Sequence, residues 1–362
     1  MSGFDATKKE WSELYCFFRL LADGKVYGGT PQVKRDDEAC MPIAMIQREE
    51  HDGTRRYIIE EDDIHIVGEK IDKKIARADF KDVADFILSA MKESSEDKVV
   101  SPDGVEVFLD EISIFDLEAK TEDRTDFYIA FYTMDAPLIG FNVRSRIGFM
   151  IPLLDGGRSA NLKYELTGVK FANPTINKVN ALQSANEVCD RMQLIEHLGG
   201  VLKYADVADR VFRANLMMID LHFPRLVSEM LRVMQLEGIT KISELTERIK
   251  ELNPLKIKEE LIVKHGFYEY KIKQFLLTLA LGMRPAKIFT GEDSAVSGFL
   301  LVDGSGDVYC YHKADKKTFQ DFLYNNSRLE KGSTEKDKYG ILERENGIHY
   351  FKLNLKIGLT KR

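Results

Sequence analysis

Asp126-Phe127-Tyr128-Ile129-Ala130-Phe131-Tyr132 is a short, mostly apolar run, and a second one, Ile139-Gly140-Phe141-Asn142-Val143-Arg144-Ser145, follows the turn Met134-Asp135-Ala136-Pro137. Runs rich in Ile, Val, Phe and Tyr around such a turn predict a β-hairpin. The hairpin places Asp126 on one strand and Asn142 and Arg144 on its neighbour. Because side chains alternate along a strand, residues 142 and 144 share a face. The sequence therefore predicts an acidic side chain opposite a polar and basic pair.

An acid on one strand that faces an X-Val-basic pattern on the next is the layout of metal-dependent nucleases with a PD-(D/E)XK core. Phosphodiester hydrolysis needs a metal ion, carboxylates that hold it and a cation near the developing charge. Asp126 is the best candidate for a metal ligand. Turn chemistry with Arg124 and Thr125 explains an Asp at a strand end as well, so both interpretations stay open. Asp135 is an alternate ligand, although its turn position favours a structural role.

Two more carboxylates, Glu10 and Glu13, lie about one turn apart on the first predicted helix. One helix face can present both to a metal ion. The alternative is a solvated helix surface or an ion pair with Lys9, because exposed glutamates are the commonest case.

The basic residue of the hairpin is unusual for this chemistry, which commonly has lysine at the position of Arg144. Arginine stays protonated and cannot act as a base, although it can clamp a phosphate through two hydrogen bonds. Asn142 can ligate a hard cation through its amide oxygen but brings no negative charge. The hairpin is thus predicted to orient a phosphate, a water or a metal ion.

The composition is that of a globular protein, with 362 residues, 44% of them hydrophobic and 31% charged. We expect a cytoplasmic protein, because no apolar run approaches the roughly 18 residues of a membrane span and the N-terminus has no apolar signal segment. The four cysteines lack metal-finger spacing, so buried thiols in a reducing compartment are favoured. P-loop, Rossmann, nucleophile-elbow and zinc motifs do not occur, which disfavours kinases, dehydrogenases and common hydrolases.

Charge is distributed unevenly along the chain. Residues 1–135 carry 18 basic and 32 acidic side chains, whereas residues 136–362 carry 34 and 27. A basic second half predicts a surface for nucleic acid, and chance segregation on solvated faces is the alternative. Candidates for contact with the DNA backbone are Arg146, Arg158, Lys163 and Lys170.

Further candidates for DNA contact are Lys271 and Lys273 at the head of a predicted helix, and His312 in a predicted strand. Lysine there can meet a phosphate. A mixed helix surface and a hydrogen-bonded structural histidine are the alternatives.

The periodicity of apolar residues predicts both helices and strands. A helix covers Lys8 to Ala22 with Gly24 as its C-terminal cap, and another covers Asp79 to Met91. Strands are predicted near 55–59, 63–67, 161–166, 297–302, 307–311 and 349–355, and helices near 184–198, 204–221, 223–235, 242–252 and 268–281.

Several stretches that span nearly the whole chain resemble the HpaII family of Type II restriction endonucleases. They are Lys9-Glu10-Trp11-Ser12-Glu13-Leu14-Tyr15, Leu20-Leu21-Ala22-Asp23-Gly24-Lys25-Val26-Tyr27, Tyr268-Glu269-Tyr270-Lys271-Ile272-Lys273-Gln274-Phe275-Leu276, Ala280-Leu281-Gly282-Met283-Arg284-Pro285, Gly298-Phe299, Cys310-Tyr311-His312, Phe322-Leu323-Tyr324-Asn325-Asn326 and Lys352-Leu353-Asn354-Leu355-Lys356-Ile357. The family's hairpin pattern, Phe-Ser-Ile-Lys-Ser, falls on residues 141–145, and this chain departs from it at Asn142 and Arg144.

The resemblance implies cleavage of double-stranded DNA with Mg²⁺ at a short GC-rich palindrome such as CCGG, and a cognate DNA methyltransferase that protects the host. On this interpretation Asp126 is a metal ligand with Glu10 or Glu13 assisting, Arg144 stabilises the scissile phosphate, and Asn142 supports water or metal. A palindromic target favours a homodimer. Because of Arg144, a family member that binds DNA with weakened or lost cleavage stays open. The overall acidity, a net charge of -7, keeps an interaction protein without DNA open as well.

The fold expected from this resemblance is α+β. A mixed β-sheet nuclease core of the PD-(D/E)XK type near residues 55–170 is flanked by helices. A helical middle region and a small C-terminal β unit complete it. The corresponding domains are a catalytic region at 1–172, a helical DNA-binding region at 173–287 and a β-rich region at 288–362.

Overall fold

The computed structural model describes residues 4–119, 125–132, 138–292 and 294–360. The turn predicted at 134–137, with Asp135, and Arg124 lie outside these residues. The strands are β1 Asp5–Thr7, β2 Lys25–Gly29, β3 Arg35–Glu50, β4 Gly53–Ile59, β5 Asp63–Val67, β6 Asp72–Ala76, β7 Lys98–Val100, β8 Phe127–Phe131, β9 Ile139–Ser145, β10 Leu154–Asp155, β11 Asn161–Thr167, β12 Val201–Val207, β13 Val296–Val302, β14 Val308–His312, β15 Ser327–Glu330, β16 Leu342–Glu345, β17 Ile348–Asn354 and β18 Lys356–Leu359.

Helices are concentrated in the middle of the chain. The α-helices are α1 Lys8–Asp23, α2 Arg77–Glu93, α3 Val105–Glu111, α4 Asn173–Asn180, α5 Glu187–His197, α6 Arg210–Ile219, α7 Phe223–Glu237, α8 Ile242–Leu252, α9 Glu259–Val263, α10 Phe267–Ala280, α11 Lys316–Asn326 and α12 Thr334–Asp337. Two 3₁₀ turns cover Gly157–Ala160 and Lys313–Asp315. The expectation of a mixed α+β protein is confirmed.

A nine-stranded mixed sheet organises the fold, in the order β2-β14-β13-β9-β8-β3-β4-β5-β6. Strands β8 and β9 pair antiparallel, with Phe127 opposite Phe141 and Ile129 opposite Ile139. The predicted pairing of these two runs is therefore confirmed. On its other edge β9 runs parallel to β13, which comes from the C-terminal part of the chain.

The sheet separates two hydrophobic cores, because successive side chains of a strand point to opposite faces. On β13, Leu300 and Val302 join the core that contains α1, α2 and α3, which we call the N-terminal core. Phe299 and Leu301 join the other core, which we call the C-terminal core. The polar residues of β9 thus follow the alternation: Phe141 and Val143 lie in the N-terminal core, and residues 142 and 144 lie on the opposite face.

Helix α1 has nearly its predicted bounds, because its capping residues and its apolar periodicity indicate the same start and end. Thr7 caps the helix, Gly24 ends it with φ 63°, and its apolar residues are buried in the N-terminal core. Trp11 is 1% exposed and donates a 3.0 Å hydrogen bond from its indole N–H to the carbonyl of Val99. Burial of one such side chain contributes about 1.5–3 kcal/mol. The helix is therefore anchored firmly enough to present polar residues at fixed positions.

The prediction of one helix over 204–221 is wrong for its first six residues, 204–209. Residues 201–207 form β12, which pairs antiparallel with β11. The helix begins only at Arg210, where the carboxylate of Asp209 accepts hydrogen bonds from the backbone N–H of Val211 at 2.8 Å and of Phe212 at 3.0 Å. The cap at Asp209 thus sets the start of the helix, although the apolar periodicity predicts an earlier start.

Strand pairing joins the three linear regions predicted from the sequence, and their boundaries stay a prediction. Strand β13, from the predicted C-terminal region, pairs with β9 in the predicted catalytic region. Strand β11 pairs with β12 and β17, which belong to the other two regions and form a four-stranded sheet with β16. The large sheet begins at β2, before residue 55, and the long strand β3 was not predicted. Hydrogen bonding between distant strands, which local patterns do not report, decides these features.

Among the described residues, the structure has no helix both long and apolar enough to span a membrane.

Candidate active site

Asp126 lies immediately before β8 and is held by the neighbouring strand. Its backbone N–H donates to the carbonyl of Phe141 at 2.9 Å, and its Oδ2 accepts a 2.6 Å hydrogen bond from the backbone N–H of Val143. The Asn142 side chain also hydrogen-bonds to it. Burial raises the pKa of Asp126, and the Val143 hydrogen bond and the charge of Arg144 offset this only in part. The carboxylate is therefore positioned by strand pairing and retains room for a cation.

Arg144 faces the same region from β9. Its guanidinium carbon lies 4.8 Å from the ring centroid of Phe299, and its buried Nε has no hydrogen-bond partner among the described residues. Burial lowers the pKa of Arg144 to about 10, the charge of Asp126 opposes this, and the charge of Arg284 adds to it. Arg144 is thus a cation at neutral pH with a stacked, restricted side chain.

Glu13 reaches the site from α1. It is 5% exposed, and one of its oxygens accepts a 2.8 Å hydrogen bond from the backbone N–H of Ala119. Burial and the charge of Asp126 raise the pKa of Glu13 to about 8, although the Arg48 charge opposes them. Glu13 and Asp126 are therefore neighbours, and the negative charge of Asp126 makes ionisation of Glu13 less favourable.

Arg48 supports Glu13 from the interior. Its Nη2 lies 3.7 Å from Glu13, its Nη1 lies 2.7 Å from Glu50, and Nη2 also donates to the carbonyl of Leu117 at 2.6 Å. The hydroxyl of Tyr57 donates to the same Glu50 oxygen at 2.9 Å. Arg48 on β3 thus interacts with two carboxylates, those of Glu13 and Glu50. Because its charge is shared between them, it does not fully neutralise Glu13.

Glu13, Asp126 and Arg144 border a small cavity of about 20 Å³, which we call the active-site cavity. That space is enough for one water-sized particle. Its lining residues are Lys9, Ser12, Glu13, Asp126, Val143, Arg144, Ser145, Phe149 and Ile151. The hydroxyl groups of Ser12 and Ser145 hydrogen-bond at 2.8 Å, which ties α1 to β9 at the cavity wall.

The cavity fits a small divalent cation. A cation between two buried carboxylates would relieve the repulsion that raises their pKa values. The described residues contain no cluster of three or more His, Cys, Asp and Glu that could hold a metal. Mg²⁺ needs fewer protein ligands, because it keeps several waters and takes one or two carboxylates. Glu13 and Asp126 would supply these, and the amide of Asn142 lies beside them.

The other predicted ligand, Glu10, is engaged elsewhere. Its carboxylate accepts hydrogen bonds of 2.7 Å from the backbone N–H and from the hydroxyl of Thr7, in a capping box. Burial alone would raise the pKa of Glu10, but these hydrogen bonds lower it. Glu10 does not line the active-site cavity. The structure therefore brings Glu13 to the cavity and leaves Glu10 at the start of the helix, because the cap satisfies it there.

Three predicted DNA-binding lysines form ion pairs within the protein. Lys163 lies 2.5 Å from Glu345, and Lys271 lies 3.0 Å from Asp220. Lys273 lies 2.6 Å from an oxygen of each of two carboxylates, those of Glu269 and Asp321. Their charge is thus already balanced locally.

The remaining predicted DNA contacts differ in exposure. Lys170 and Arg158 are exposed, and Arg158 donates to the carbonyl of Lys336 at 3.2 Å. Arg146 is half-buried and donates a 3.0 Å hydrogen bond to the side-chain oxygen of Asn326. Burial and the neighbouring Lys313 lower the pKa of His312 to about 4, so it is neutral at pH 7.

His312 has a structural task as well. Its Nδ1 accepts a 3.1 Å hydrogen bond from the backbone N–H of Ala314, which caps the short 3₁₀ turn. It does not line the active-site cavity.

Sequence reasoning missed four residues around the site: Lys9, Ser12 and Ser145 in the cavity wall and Arg48 behind it. Lys9, Ser12 and Glu13 have the i, i+3, i+4 spacing of one helix face, which is a readable signal. Arg48 carries no such signal, because its role depends on the pairing of β3 with β8.

Comparison with known proteins gives a match over nearly the whole chain. The sequence profile of the family described as HpaII restriction endonuclease matches residues 7–359. A curated relative, the Type II restriction enzyme HpaII of Haemophilus parainfluenzae, is 30% identical over 359 residues, which cover 98% of each chain. No solved structure gives a significant match. The similarity includes the segments that carry Glu13, Asp126 and Arg144.

Proposed function

This chain belongs to the HpaII family of restriction endonucleases, and on that premise we propose that it cleaves double-stranded DNA at the active-site cavity. The observation that carries this proposal is the convergence of Glu13, Asp126 and Arg144 on one cavity of ion size. Two carboxylates for a metal and one cation for a phosphate are the groups that phosphodiester hydrolysis needs. They come from α1, the start of β8 and β9.

We further propose that the reaction depends on Mg²⁺ and that the target is a short GC-rich palindrome, CCGG-like. Resemblance to the family supports both. The acid before β8 and the Asn142-Val143-Arg144 sequence on β9 also support a nuclease core of the PD-(D/E)XK type. When bound, Mg²⁺ supplies positive charge to the scissile phosphate and lowers the pKa of the attacking water.

The protein's residues account for the remaining chemistry. Water forms a bond to phosphorus, one ester P–O bond breaks, the water proton passes to solvent, and the departing oxygen takes a proton from solvent. The guanidinium of Arg144 stabilises charge on the phosphate and does not exchange the proton, because arginine stays protonated. Asp126 and Glu13 would hold the metal ion, and Asn142 holds the Asp126 carboxylate in place.

The biological setting is part of the proposal. A palindromic target favours a homodimer with two-fold symmetry. A cognate DNA methyltransferase is expected to protect the host, and action on incoming DNA favours a cytoplasmic location. Exposed basic residues such as Lys170 and Arg158 are proposed to hold the DNA backbone, with Arg146 closer to the site.

A second candidate function is a family member that binds DNA with weakened or lost cleavage. Arg144 favours it, because a buried guanidinium stacked on Phe299 cannot act as a base and has little freedom to move.

One experiment separates the two functions. The purified protein is incubated with unmethylated phage DNA in Mg²⁺ and, separately, in EDTA, with Asp126→Asn alongside. Discrete fragments from the wild type in Mg²⁺ alone support the endonuclease, and their ends identify the target. Intact DNA together with salt-sensitive duplex binding supports the non-cleaving reader, and intact DNA without binding contradicts both.

A further inference from the structure

A second cation lines the active-site cavity. Lys9 lies in the first turn of α1, on the same helix face as Ser12 and Glu13, and all three border the cavity. Its ammonium group pairs with the carboxylate of Glu118. Burial alone would lower the pKa of Lys9, but Glu118, Glu13 and Asp126 together raise it, so their negative charges reach the ammonium group.

The two cations of the cavity differ in what they can do. Arg144 borders the cavity, but its guanidinium is stacked on Phe299, which belongs to the C-terminal core on the other face of the sheet, and its buried Nε restricts the side chain further. An ammonium group is a compact charge with three rotatable donors on a flexible stem. Lys9 therefore has the freedom to follow a water or a phosphate oxygen, and Arg144 does not.

The Lys9–Glu118 ion pair is one that DNA can replace at little cost. The two side chains are 45% and 40% exposed. Ion pairs at such exposed positions contribute little to stability. A DNA phosphate beside the cavity offers the ammonium a stronger, charge-assisted hydrogen bond. Without DNA, Glu118 thus holds Lys9 at the cavity wall through an ion pair that is weak enough for a phosphate to replace.

We propose that Lys9 is a further catalytic residue, whose ammonium group orients the attacking water and stabilises the negative charge that develops on the scissile phosphate. The inference rests on the proposed function, since it concerns the same cavity. Lysine is the common residue at the strand position that Arg144 occupies here. Lys9 supplies the missing lysine ammonium group from helix α1 instead of from strand β9. It remains charged throughout, so the bond to water forms and the ester bond breaks without proton transfer to it.

The test uses the full-length protein and four substitutions. Lys9→Met removes the charge and Lys9→Arg keeps it. Glu118→Gln breaks the ion pair while leaving Lys9 in place. Lys81→Met is the matched control, because Lys81 is also an exposed helical lysine paired with a carboxylate, Asp85, outside the cavity.

Three quantities are measured for each protein: the single-turnover cleavage rate in Mg²⁺, the Kd for duplex DNA in Ca²⁺, and the melting temperature. We expect Lys9→Met to lower the rate on the order of 10²-fold, the usual loss for one donor at a developing negative charge. Its Kd and melting temperature should stay near the wild-type values. Lys9→Arg should recover part of the rate, and Glu118→Gln and Lys81→Met should cut at nearly the wild-type rate.

Lys9 has no such role if Lys9→Met cuts as fast as the wild type, or if its defect is confined to Kd. An equal rate loss in Lys9→Met and Glu118→Gln would also overturn the inference, because the ion pair alone would then explain the effect. A wild type that does not cut in Mg²⁺ or Mn²⁺ overturns the proposed function and the role of Lys9 with it. If the wild type cuts, the proposed function stands, and the Lys9 variants alone decide whether Lys9 is catalytic.

Discussion

The backbone N–H of Val143 donates a 2.6 Å hydrogen bond to Oδ2 of Asp126, so the strand that carries Arg144 also holds the acidic side chain of the site. Because Val143 is itself packed in the N-terminal core, this donor is fixed in place. A small displacement of β9 would therefore move the acid and the guanidinium together. The geometry of the site depends on one strand pairing.

Asp126→Asn should reduce cleavage on the order of 10³-fold, because it removes a charge that a divalent cation needs. The amide can still accept the hydrogen bond from Val143, so we expect the fold to persist. Single-turnover cleavage and duplex binding in Ca²⁺ are the measurements. Asp82→Asn on the exposed face of α2 is the control and should cut normally. Unchanged cleavage by Asp126→Asn would remove this carboxylate from the site.

Metal-free wild type should lose stability relative to Glu13→Gln as the pH rises. The pKa of Glu13 is raised to about 8 in the folded protein, whereas an unfolded Glu titrates at about 4.3. The folded state binds more protons between these values, so this contribution to stability is complete below the unfolded pKa and is lost as the pH rises through about 8.

Calorimetry in EDTA at several pH values from about 5 to 9 measures this dependence. Toward the alkaline end of this range, we expect the melting temperature of Glu13→Gln to rise by a few degrees relative to that of the wild type. Added Mg²⁺ should stabilise the wild type more than the variant at that end. Parallel pH profiles would show that Glu13 does not share a buried space with Asp126.

Glu10→Ala should cost about 1 kcal/mol of unfolding free energy, since it removes half of the capping box with Thr7. The cleavage rate of the folded variant at saturating Mg²⁺ should match the wild type. Urea unfolding and single-turnover cleavage measure the two effects. A large rate loss without a stability loss would instead place Glu10 among the metal ligands.

Arg144→Met should lower the cleavage rate on the order of 10²-fold, because it removes the cation beside the phosphate but leaves an apolar stem against Phe299. Arg144→Lys should retain much of the rate in an active enzyme. Single-turnover rates of both variants are compared with the wild type. If the wild type binds DNA without cutting and Arg144→Lys cuts, then the non-cleaving reader is the native function.

Lys170→Met should reduce the slope of log affinity against log salt concentration by about 1, because each lost phosphate contact releases about one counterion fewer. Lys273→Met should change the slope much less, since Glu269 and Asp321 already balance its charge. Fluorescence anisotropy of a labelled duplex in Ca²⁺ gives both slopes. The reverse order would show that DNA displaces the carboxylates from Lys273.

Local patterns predicted the helix that carries Glu13 and the pair of strands β8 and β9, of which β9 carries Arg144 and β8 begins directly after Asp126. Capping residues, apolar periodicity and strand-forming runs act over a few residues, so they are readable without knowledge of the fold. The same signals failed over 204–221, where apolar residues occur in a strand and then a helix, and the cap at Asp209 marks the change. They also do not report that β13 pairs with β9 in the large sheet, because that pairing joins distant parts of the chain.

The amino-acid sequence alone specified α1 and the β8–β9 pair, since their caps and apolar patterns are local. A local contact, the capping box with Thr7, retains Glu10 at the start of the helix, whereas tertiary packing brings Glu13 to Asp126 and Arg48. Tertiary packing also brought Lys9 to the cavity that contains Arg144. These contacts join residues far apart in the chain through the packing of α1 on the large sheet, and burial and like-charge repulsion exist only once that packing is formed.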